Sequence, residues 1–475
     1  MTDTQKVDIP VSVREMVKKY KASISHAFIF DLNTKDYVAN TAMALPSYLA
    51  AYLSRSFDVV VFYNIAEGIT FAAPSMEAKV KAMMGPQQAV DPMAAAVAAG
   101  MSDAPTQSAS GLTLPRGAGE AVRFLEKLLT FNHEVTPMDP PLEREEFDDE
   151  GRSTGRKVRY GARVAVIIEY AEALVPNGNL ATMSDADRAV LVTVQRWGSL
   201  SSIATNAHVV FLLTADRSDL HVNLRAASSR WEAIEVPLPD TEERQSYIDT
   251  YIPLRAANAS DDPTTRSLVA MTWDIPAEIP VSERGLTGER KTRALRAAQV
   301  ATLAYATAGL SRLHIEDIFM RGMNEGTLSL DMVRERKDDI IASEYGEVLE
   351  VREPRFGFER LGGMAHFKDY AFENIINPMR AGQREGVPLG VLLTGPAGTG
   401  KSAAAEALAK ELGFQFIILN LAKILGQYVG QSERNLERAL RAVSSLAPCL
   451  LFVDEVDQAL GRGGSGDSGV SVFGV

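Results

Sequence analysis

The sequence predicts an α/β protein with two parallel-sheet modules, of which the first carries a helical lid and the second is incomplete. Three observations lead to this fold class. Strand-like apolar runs alternate with helical segments through the first 240 residues, a helix-rich region follows, and a second strand, glycine loop and helix begin near residue 391. With 475 residues and 46% hydrophobic content, the chain is long enough to bury more than one core.

The first module is predicted from five apolar runs that are rich in β-branched and aromatic residues. Helical segments such as PSYLAAYLSRS separate them, which favours a mainly parallel sheet. The five runs are HAFIFDL (26–32), FDVVVFYN (57–64), VAVIIEY (164–170), HVVFLLTAD (208–216) and WEAIEVPLPD (231–240).

Composition shifts along the chain give the expected domain boundaries. Residues 84–118 are rich in Gly, Pro, Ala and Ser, and residues 142–159 change from acidic to basic without apolar periodicity, so both are expected to be surface loops. The resulting division is a tail (1–19), an α/β module (20–240) with insertions at about 84–160, a helical lid (241–325), a linker (326–356) and a second α/β module (357–475).

Charge and composition disfavour several classes of protein. The net charge of -12 works against broad attraction to phosphate backbones, so nucleic acid is an unfavoured partner. We find neither a secretory leader nor an apolar run near 18 residues, so the expected location is the cytoplasm, with no membrane span. Cys449 is the only cysteine and is expected to be structural, and the six histidines lack the spacing of a metal site.

The stretch VLLTGPAGTGKSAAAEALAKEL (391–412) carries the strongest chemical signal. An apolar strand is followed by the spacing G-x-x-x-x-G-K-S and an alanine-rich helix, which is the context of a phosphate-binding loop for ATP and Mg²⁺. Lys401 can reach the β and γ phosphates, and the Ser402 hydroxyl can ligate Mg²⁺. The alternative is a glycine turn before a structural helix. The nucleotide-binding candidates are Gly395, Pro396, Ala397, Gly398, Thr399, Gly400, Lys401 and Ser402.

Two acids at the end of the strand CLLFV (449–453) are predicted to complete the site. A strand parallel to the first would bring Asp454 beside Ser402 and the metal, and Glu455 could orient and deprotonate a water molecule as the catalytic residue. The alternative is that both acids are solvated loop residues. Together with the loop, they predict a nucleoside triphosphatase.

Residues 357–461 resemble the first half of a module of the AAA family of P-loop ATPases. GPAGTGKS is similar to the family's Walker A motif, with Ala397 where a second proline is usual, and LLFVDEVD is similar to its Walker B motif. FERLGGM resembles the segment that enters the nucleotide pocket, which implies an adenine contact near Gly362. QYVGQSERNLERAL resembles the first pore loop, which implies that Tyr428, Val429 and Gly430 grip a polypeptide. An aromatic residue between glycines can equally be buried.

The first module resembles the same fold without its chemistry. Glu169 and Tyr170 stand at the two acid positions of Walker B, Asp216 stands where the family usually has Asn, and Arg230 takes one arginine-finger position. The segment NTKDYVANT has neither glycines nor a lysine in register, so no phosphate loop is expected. This tandem arrangement also resembles a little-characterised group of bacterial and plastid-encoded AAA proteins.

The resemblance implies a homo-oligomeric ring, with a hexamer as one form, which couples ATP hydrolysis to remodelling or threading of an unknown protein substrate. In the family, hydrolysis also needs a sensor strand, an arginine finger and a lid after Walker B. The expectation is therefore a C-terminally truncated chain that binds ATP but hydrolyses it poorly. Two alternatives stay open, namely a nucleotide-switched scaffold and a nucleic-acid motor or loader.

Overall fold

We describe the protein from a computed structural model, which divides into two units, Met1–Pro237 and Leu238–Val475. The described residues are 9–38, 41, 43–84, 106–107, 113–130, 143–147, 153–159, 162–258, 271–277, 287–345, 349–381, 386–396, 398–421, 436, 439–440, 443, 448–454 and 456. Among the helices in these ranges, none combines the length and the apolar character needed to cross a membrane.

The first unit is built on a six-stranded sheet. Its strands are β1 (Ala27–Leu32), β2 (Val59–Asn64), β3 (Gly68–Phe71), β8 (Val164–Ile168), β9 (Val209–Leu213) and β10 (Glu232–Val236); two short pairs outside it are β4 (Thr106–Gln107) with β5 (Thr113–Leu114) and β6 (Glu143–Phe147) with β7 (Ser153–Arg159). The order in the sheet is β10-β1-β9-β8-β2-β3, and every neighbouring pair is parallel except β2 and β3, which form an antiparallel edge. The predicted five-stranded parallel sheet is therefore confirmed, with one further strand at its edge.

Helices cover both faces of this sheet because successive strand residues point to opposite sides. Ala27 and Ile29 of β1 join one buried cluster, whereas Phe28 and Phe30 join the other. The helices of this unit are α1 (Val11–Lys21), α2 (Leu45–Leu53), α3 (Pro74–Met84), α4 (Ala118–Thr130), α5 (Ala171–Leu174), α6 (Asp185–Trp197), α7 (Ser201–Thr205) and α8 (Val222–Arg225), with 3-10 turns at Arg217–Asp219 and Ala227–Ser229.

Two segments expected to lie outside the fold belong to its core. In the predicted tail (1–19), α1 buries Val13 and Met16, which are three residues apart and share one helix face. Within the predicted insertion (84–160), α4 buries Leu125 and Leu128 against the sheet. In both segments the helical apolar spacing outweighs the composition of the surrounding sequence.

The charged stretch 142–159 forms the antiparallel pair β6 and β7, although a loop was expected. Its register sets Glu143 opposite Arg159 and Glu145 opposite Lys157. Because the stretch has no apolar periodicity, the hydrophobic pattern of the sequence does not reveal this strand pair.

The second unit begins with a helical region that contains a small parallel strand pair. Its helices are α9 (Thr241–Asn258), α10 (Glu289–Ala306), α11 (Arg312–Glu325) and α12 (Leu330–Tyr345), and its strands are β11 (Thr272–Asp274) and β12 (Thr327–Ser329). Buried Arg244 ties two of these helices together, because its guanidinium donates hydrogen bonds to Ala304 O at 2.8 Å and to Pro239 O at 2.5 Å.

A three-stranded sheet follows. Its strands are β13 (Leu349–Arg352), β14 (Gln415–Leu419) and β15 (Cys449–Val453), and its helices are α13 (Ala365–Ala371), α14 (Asn377–Arg380) and α15 (Lys401–Leu412), with a π-helical turn at Phe372–Ile376 between α13 and α14. In the order β13-β14-β15, β14 and β15 are parallel, whereas β13 pairs antiparallel with β14. The predicted linker (326–356) therefore includes β12, α12 and an edge strand of the second sheet.

The strand expected before the phosphate loop does not form in the structure. Residues 390–396 have no assigned strand, and the exposed fractions of Val391 and Leu392 are 42% and 81%. In the first unit the corresponding β1 lies between β10 and β9 and is buried. A single apolar segment cannot satisfy its backbone groups as a strand without such neighbours, and in the described part of the second sheet only β13, β14 and β15 pair.

Candidate functional site

The phosphate-loop candidates lie together at the start of α15. Helix α15 begins at Lys401 immediately after Gly400, so Lys401 and Ser402 occupy its first turn. Alanine and leucine favour the helix that follows, and Gly413 in a left-handed conformation ends it. The N–H groups of a first helical turn lack partners within the helix and point outward, so they are available to an anion.

Two glycines give the loop a backbone path that other residues would not take without strain. The φ angles of Gly398 and Gly400 are +80° and +84°. A Cβ atom at Gly398 would have open space around it, so conformation and not crowding requires glycine there. The side chain of Thr399 between them donates a hydrogen bond to Pro396 O at 2.9 Å, which closes the turn.

The ammonium group of Lys401 folds back over the loop. Its Nζ donates hydrogen bonds to Gly395 O and to Pro396 O, both at 2.9 Å. A phosphate oxygen is a stronger acceptor for an ammonium group than a backbone carbonyl oxygen. The lysine is thus held within reach of an anion at the helix N-terminus, and it can exchange carbonyl contacts for phosphate contacts.

Asp454 lies directly after β15, at the carboxyl end of a strand against which α15 packs. The small side chains of Ala405 and Ala409 allow this close packing, because they share a buried cluster with Phe416 of β14, against which Leu450 of β15 packs. Ser402 is the second residue of α15 and Asp454 directly follows β15, and these two elements are in direct contact.

The segment that contains Gly362 is adjacent to the phosphate loop. The methyl carbon of Met364 lies 3.4 Å from the position that a Cβ atom would take on Gly400. Lys368 of α13 fixes this segment, because its Nζ donates hydrogen bonds to Phe358 O and Leu361 O. Gly362, expected near the adenine, is exposed two residues before this contact.

Met364 and Lys368 were missed by the sequence reasoning. No sequence signal marks them, because Met364 precedes α13 with a left-handed backbone and its neighbours at the loop come from a distant part of the chain. Five of the predicted site residues lie outside the described residues, namely Ala397, Glu455, Tyr428, Val429 and Gly430.

The carboxyl edge of the first unit's sheet has a different construction. A cavity of about 220 Å³ lies there, lined by Thr34, Lys35, Ala44, Pro46, Glu169, Tyr170, Glu172, Leu213, Thr214 and Ala215. The turn after β1 has no glycine. Thr34 in this turn donates a hydrogen bond to Thr214 O at 3.2 Å, which ties the turn to the end of β9. The Lys35 ammonium lies 5.0 Å from the centre of the Tyr170 ring.

Acidic groups meet at this edge. Burial raises the pKa of Glu169, and the nearby charge of Glu67 raises it further, although a hydrogen bond from Asn64 acts in the opposite direction. Asp216 follows β9, and its carboxylate accepts a hydrogen bond from Ser218 N at 2.7 Å. Arg230 lies at the opposite, amino edge of the sheet, where it precedes β10 with a left-handed backbone. Two carboxylates, those of Glu169 and Glu172, line the cavity, so the carboxyl edge offers little electrostatic attraction for a triphosphate.

The donor set of the second unit fits a magnesium-bound nucleoside triphosphate. It combines a glycine turn at a helix N-terminus, one ammonium group, one hydroxyl and one carboxylate, which are the groups that bind phosphate oxygens and Mg²⁺. Within the described ranges we find no cluster of three His, Cys, Asp or Glu residues that could hold a metal by itself. Mg²⁺ in sites of this kind is bound by one or two side chains together with phosphate oxygens and water.

Three regions of the chain match known family models. Residues 4–237 match the N-terminal Rossmann-like domain of AAA+ chaperones, and residues 283–346 match the second helical domain of AAA+ chaperones. Residues 391–473 match the ATPase family associated with various cellular activities. The third region includes the glycine turn and Asp454.

Over the regions that align, curated relatives are about a quarter identical to the chain. The peroxisomal ATPase PEX6 of Penicillium chrysogenum is 27% identical over 286 residues, which is 57% of this chain and 19% of that protein. The cell division cycle protein 48 homolog of Archaeoglobus fulgidus is 25% identical over 328 residues, 67% of this chain and 42% of that protein. The ATPase family gene 2 protein of Schizosaccharomyces pombe is 25% identical over 364 residues, which is 74% of this chain and 42% of that protein. The chain thus spans less than half the length of each of these relatives.

Proposed function

We propose that this chain is an AAA+ ATPase, that its second unit binds Mg²⁺-ATP, and that the protein uses ATP to remodel or thread a protein substrate. Three of its regions match models of AAA+ chaperone and AAA ATPase domains. The chain is also similar to PEX6 and to the cell division cycle protein 48 homolog, both of which align with large parts of it.

One observation carries the nucleotide site. The glycine turn 398–400, with positive φ at both glycines, precedes α15, and Lys401 stands in the first turn of that helix. The same helix packs on β15, the strand that Asp454 directly follows. Backbone N–H groups and the Lys401 ammonium would bind phosphate oxygens, while Ser402 and Asp454 would hold the metal. Bound Mg²⁺ would neutralise charge on the phosphates. Glu455 would orient the attacking water molecule and accept its proton.

We also propose that the 475-residue chain hydrolyses ATP slowly. Residues 391–394 lead into the loop, yet they have no strand partner among the described residues, and Leu392 is largely exposed. Catalysis of phosphoryl transfer depends on fixed positions of the binding groups. A loop whose leading segment is not anchored in a sheet therefore favours binding over turnover, as in the alternative of a nucleotide-switched scaffold.

The first unit is proposed to be a degenerate module with a structural role. Its carboxyl edge has Glu169 and Tyr170 at the two acid positions and a turn after β1 without glycine or a phosphate-binding lysine in register. Loss of the phosphate loop removes most contacts to a triphosphate. This unit would then contribute to assembly, and Arg230 remains a candidate for action on a neighbouring subunit.

The remaining parts of the proposal rest on family resemblance. They are a homo-oligomeric ring, with a hexamer as the expected form, a polypeptide grip at Tyr428, Val429 and Gly430, and a cytoplasmic location. A nucleic-acid motor is the less favoured reading because the chain carries a net charge of -12.

Binding and turnover of Mg²⁺-ATP test the proposal together. Affinity for a fluorescent ATP analogue and phosphate release would be measured at several protein concentrations, for the parent and for Lys401→Ala, Asp454→Asn and Glu455→Gln. Glu169→Gln in the first unit is the matched control. We expect binding that Lys401→Ala weakens by at least tenfold, because a charge-assisted hydrogen bond contributes roughly 1.5–3 kcal/mol.

The other outcomes are equally specific. Rapid turnover that rises with protein concentration and disappears in Glu455→Gln would show a working, self-assembling motor and refute the slow hydrolysis. Binding that survives Lys401→Ala and is lost in Glu169→Gln would move the nucleotide to the first unit. Salt-sensitive DNA binding would revive the nucleic-acid motor.

A further inference from the structure

Met364 connects the segment that follows Gly362 to the last turn of the phosphate loop. Its methyl carbon lies 3.4 Å from the position that a Cβ atom would take on Gly400. Among the described residues, and apart from the two that adjoin Gly400 in the chain, no other atom lies within 4 Å of that position. The loop residues 398 and 399 are exposed, whereas Gly400 is half-buried. Met364 therefore packs on the loop where the loop joins α15.

The backbone of Met364 carries strain that its surroundings maintain. Its φ and ψ angles are 54° and 37°, in the left-handed region, and Gly363 before it also has a positive φ of 68°. A residue with a Cβ atom is disfavoured there by roughly 1–2 kcal/mol compared with glycine. Strain of this kind persists where neighbouring contacts hold the residue, and it is concentrated at functional sites.

Two sets of contacts hold Met364 in this conformation. Lys368 donates hydrogen bonds to Phe358 O and Leu361 O, so the turn before Met364 cannot open freely. The Met364 side chain itself packs against the buried cluster that contains Leu361 and Ala404, and Ala404 belongs to α15. The thioether thus lies between the turn and the first part of the phosphate-binding helix.

We propose that Met364 is a positioning residue for the phosphate loop: through its contact with Gly400 it fixes the glycine turn in the conformation that binds the polyphosphate of the nucleotide. This inference rests on the proposed nucleotide site and deepens it. Met364 acts on the loop and not on the base, because its methyl carbon lies beside the Cβ position of Gly400. Removal of the Met364 side chain should therefore weaken binding of the polyphosphate, whether or not a nucleoside is attached to it.

Three substitutions at Met364 separate its side chain from its backbone. Met364→Ala removes the contact and keeps the strain, Met364→Gly removes the contact and relieves the strain, and Met364→Leu keeps an apolar side chain of similar size. Each full-length chain would be tested by displacement of a fluorescent ATP analogue with Mg²⁺-ATP and with inorganic tripolyphosphate. Thermal unfolding would report whether each variant is folded.

We expect Met364→Ala and Met364→Gly to lower the affinity for ATP and the affinity for tripolyphosphate by roughly fivefold each. This factor corresponds to the loss of several packing contacts. Met364→Leu should stay within about twofold of the parent. Unchanged affinity in Met364→Ala and Met364→Gly would overturn the inference. A lower affinity for ATP with an unchanged affinity for tripolyphosphate would also overturn the inference, because the side chain would then act on the nucleoside. Binding by the parent that does not depend on Lys401 would instead overturn the proposed function.

Discussion

Replacement of Lys337 by methionine should stabilise the second unit. Lys337 lies on α12 with only 6% of its surface exposed. Burial and, next, the like charge of Arg244 lower the pKa of Lys337 from 10.5 to about 8, although Asp338 and Cys449 act in the opposite direction. Methionine retains an unbranched, flexible side chain without the ammonium group.

The expected gain follows from the pKa difference between the two states. In the unfolded chain the pKa of a lysine is near 10.5, so between about pH 8 and 10.5 the unfolded state binds more protons and stability rises with pH. Below about pH 8 the buried ammonium group is charged and destabilises the folded state by its full amount. The difference between the two pKa values corresponds to about 3 kcal/mol. The substitution Lys337→Met should therefore raise the free energy of unfolding at pH 7 by up to about that amount and remove the rise toward pH 10.

The measurement is urea unfolding of the second unit at pH 7 and pH 10, followed by brief protease digestion and the mass of the surviving fragment. Burial raises the pKa of Cys449, which would oppose the lysine in this pH range, so every protein would carry Cys449→Ala. Lys337→Arg is the matched control, because arginine cannot lose its charge and should destabilise the unit. The reasoning is refuted if Lys337→Met leaves both the stability at pH 7 and its pH dependence unchanged.

Three further predictions use the same structure. Leu392→Glu should reduce self-association in analytical ultracentrifugation, because 81% of this apolar residue is exposed; equal association in the variant would count against it. Gly198→Ala should lower the melting temperature of the first unit, because the added Cβ would lie 2.3 Å from Ser229 O, with overpacking costing about 1–3 kcal/mol. Gly178→Ala, which meets nothing within 4 Å, is its control, and equal melting of the two variants would contradict the clash. Arg244→Met should destabilise the helical region by about 2–4 kcal/mol in urea unfolding, because two backbone carbonyl oxygens lose their donor; a neutral result would mean that water replaces it.

Local patterns predicted much of the fold and of the phosphate site. Four of the five predicted strands, β1, β2, β8 and β9, were identified because each is an apolar run that is buried on both faces along almost its whole length. The fifth, β10 at the sheet edge, mixes apolar and acidic residues and is only partly buried. The glycine turn before α15 was identified because only glycine takes φ angles near +80° without strain, so the residue type itself records the backbone conformation. The positions of Lys401 and Ser402 followed directly from that turn.

Boundaries and pairings were predicted less well. The composition of residues 84–160 concealed α4, whose apolar spacing was present in the sequence. The strand pair formed by 143–147 and 153–159 was missed because this charged stretch has no apolar periodicity. β13 was assigned to a linker because a short edge strand of four residues has little pattern of its own.

The candidates for the nucleotide site could be read from the sequence, because turn glycines, a helix start and acids after a strand stand in consecutive residues. Only folding leaves residues 391–394 without a strand and brings the methyl carbon of Met364 to 3.4 Å from the Cβ position of Gly400. The physical reason is the same in both cases. A strand needs a hydrogen-bonding partner, and a side-chain contact needs a neighbour, and both partners come from parts of the chain that only folding brings together.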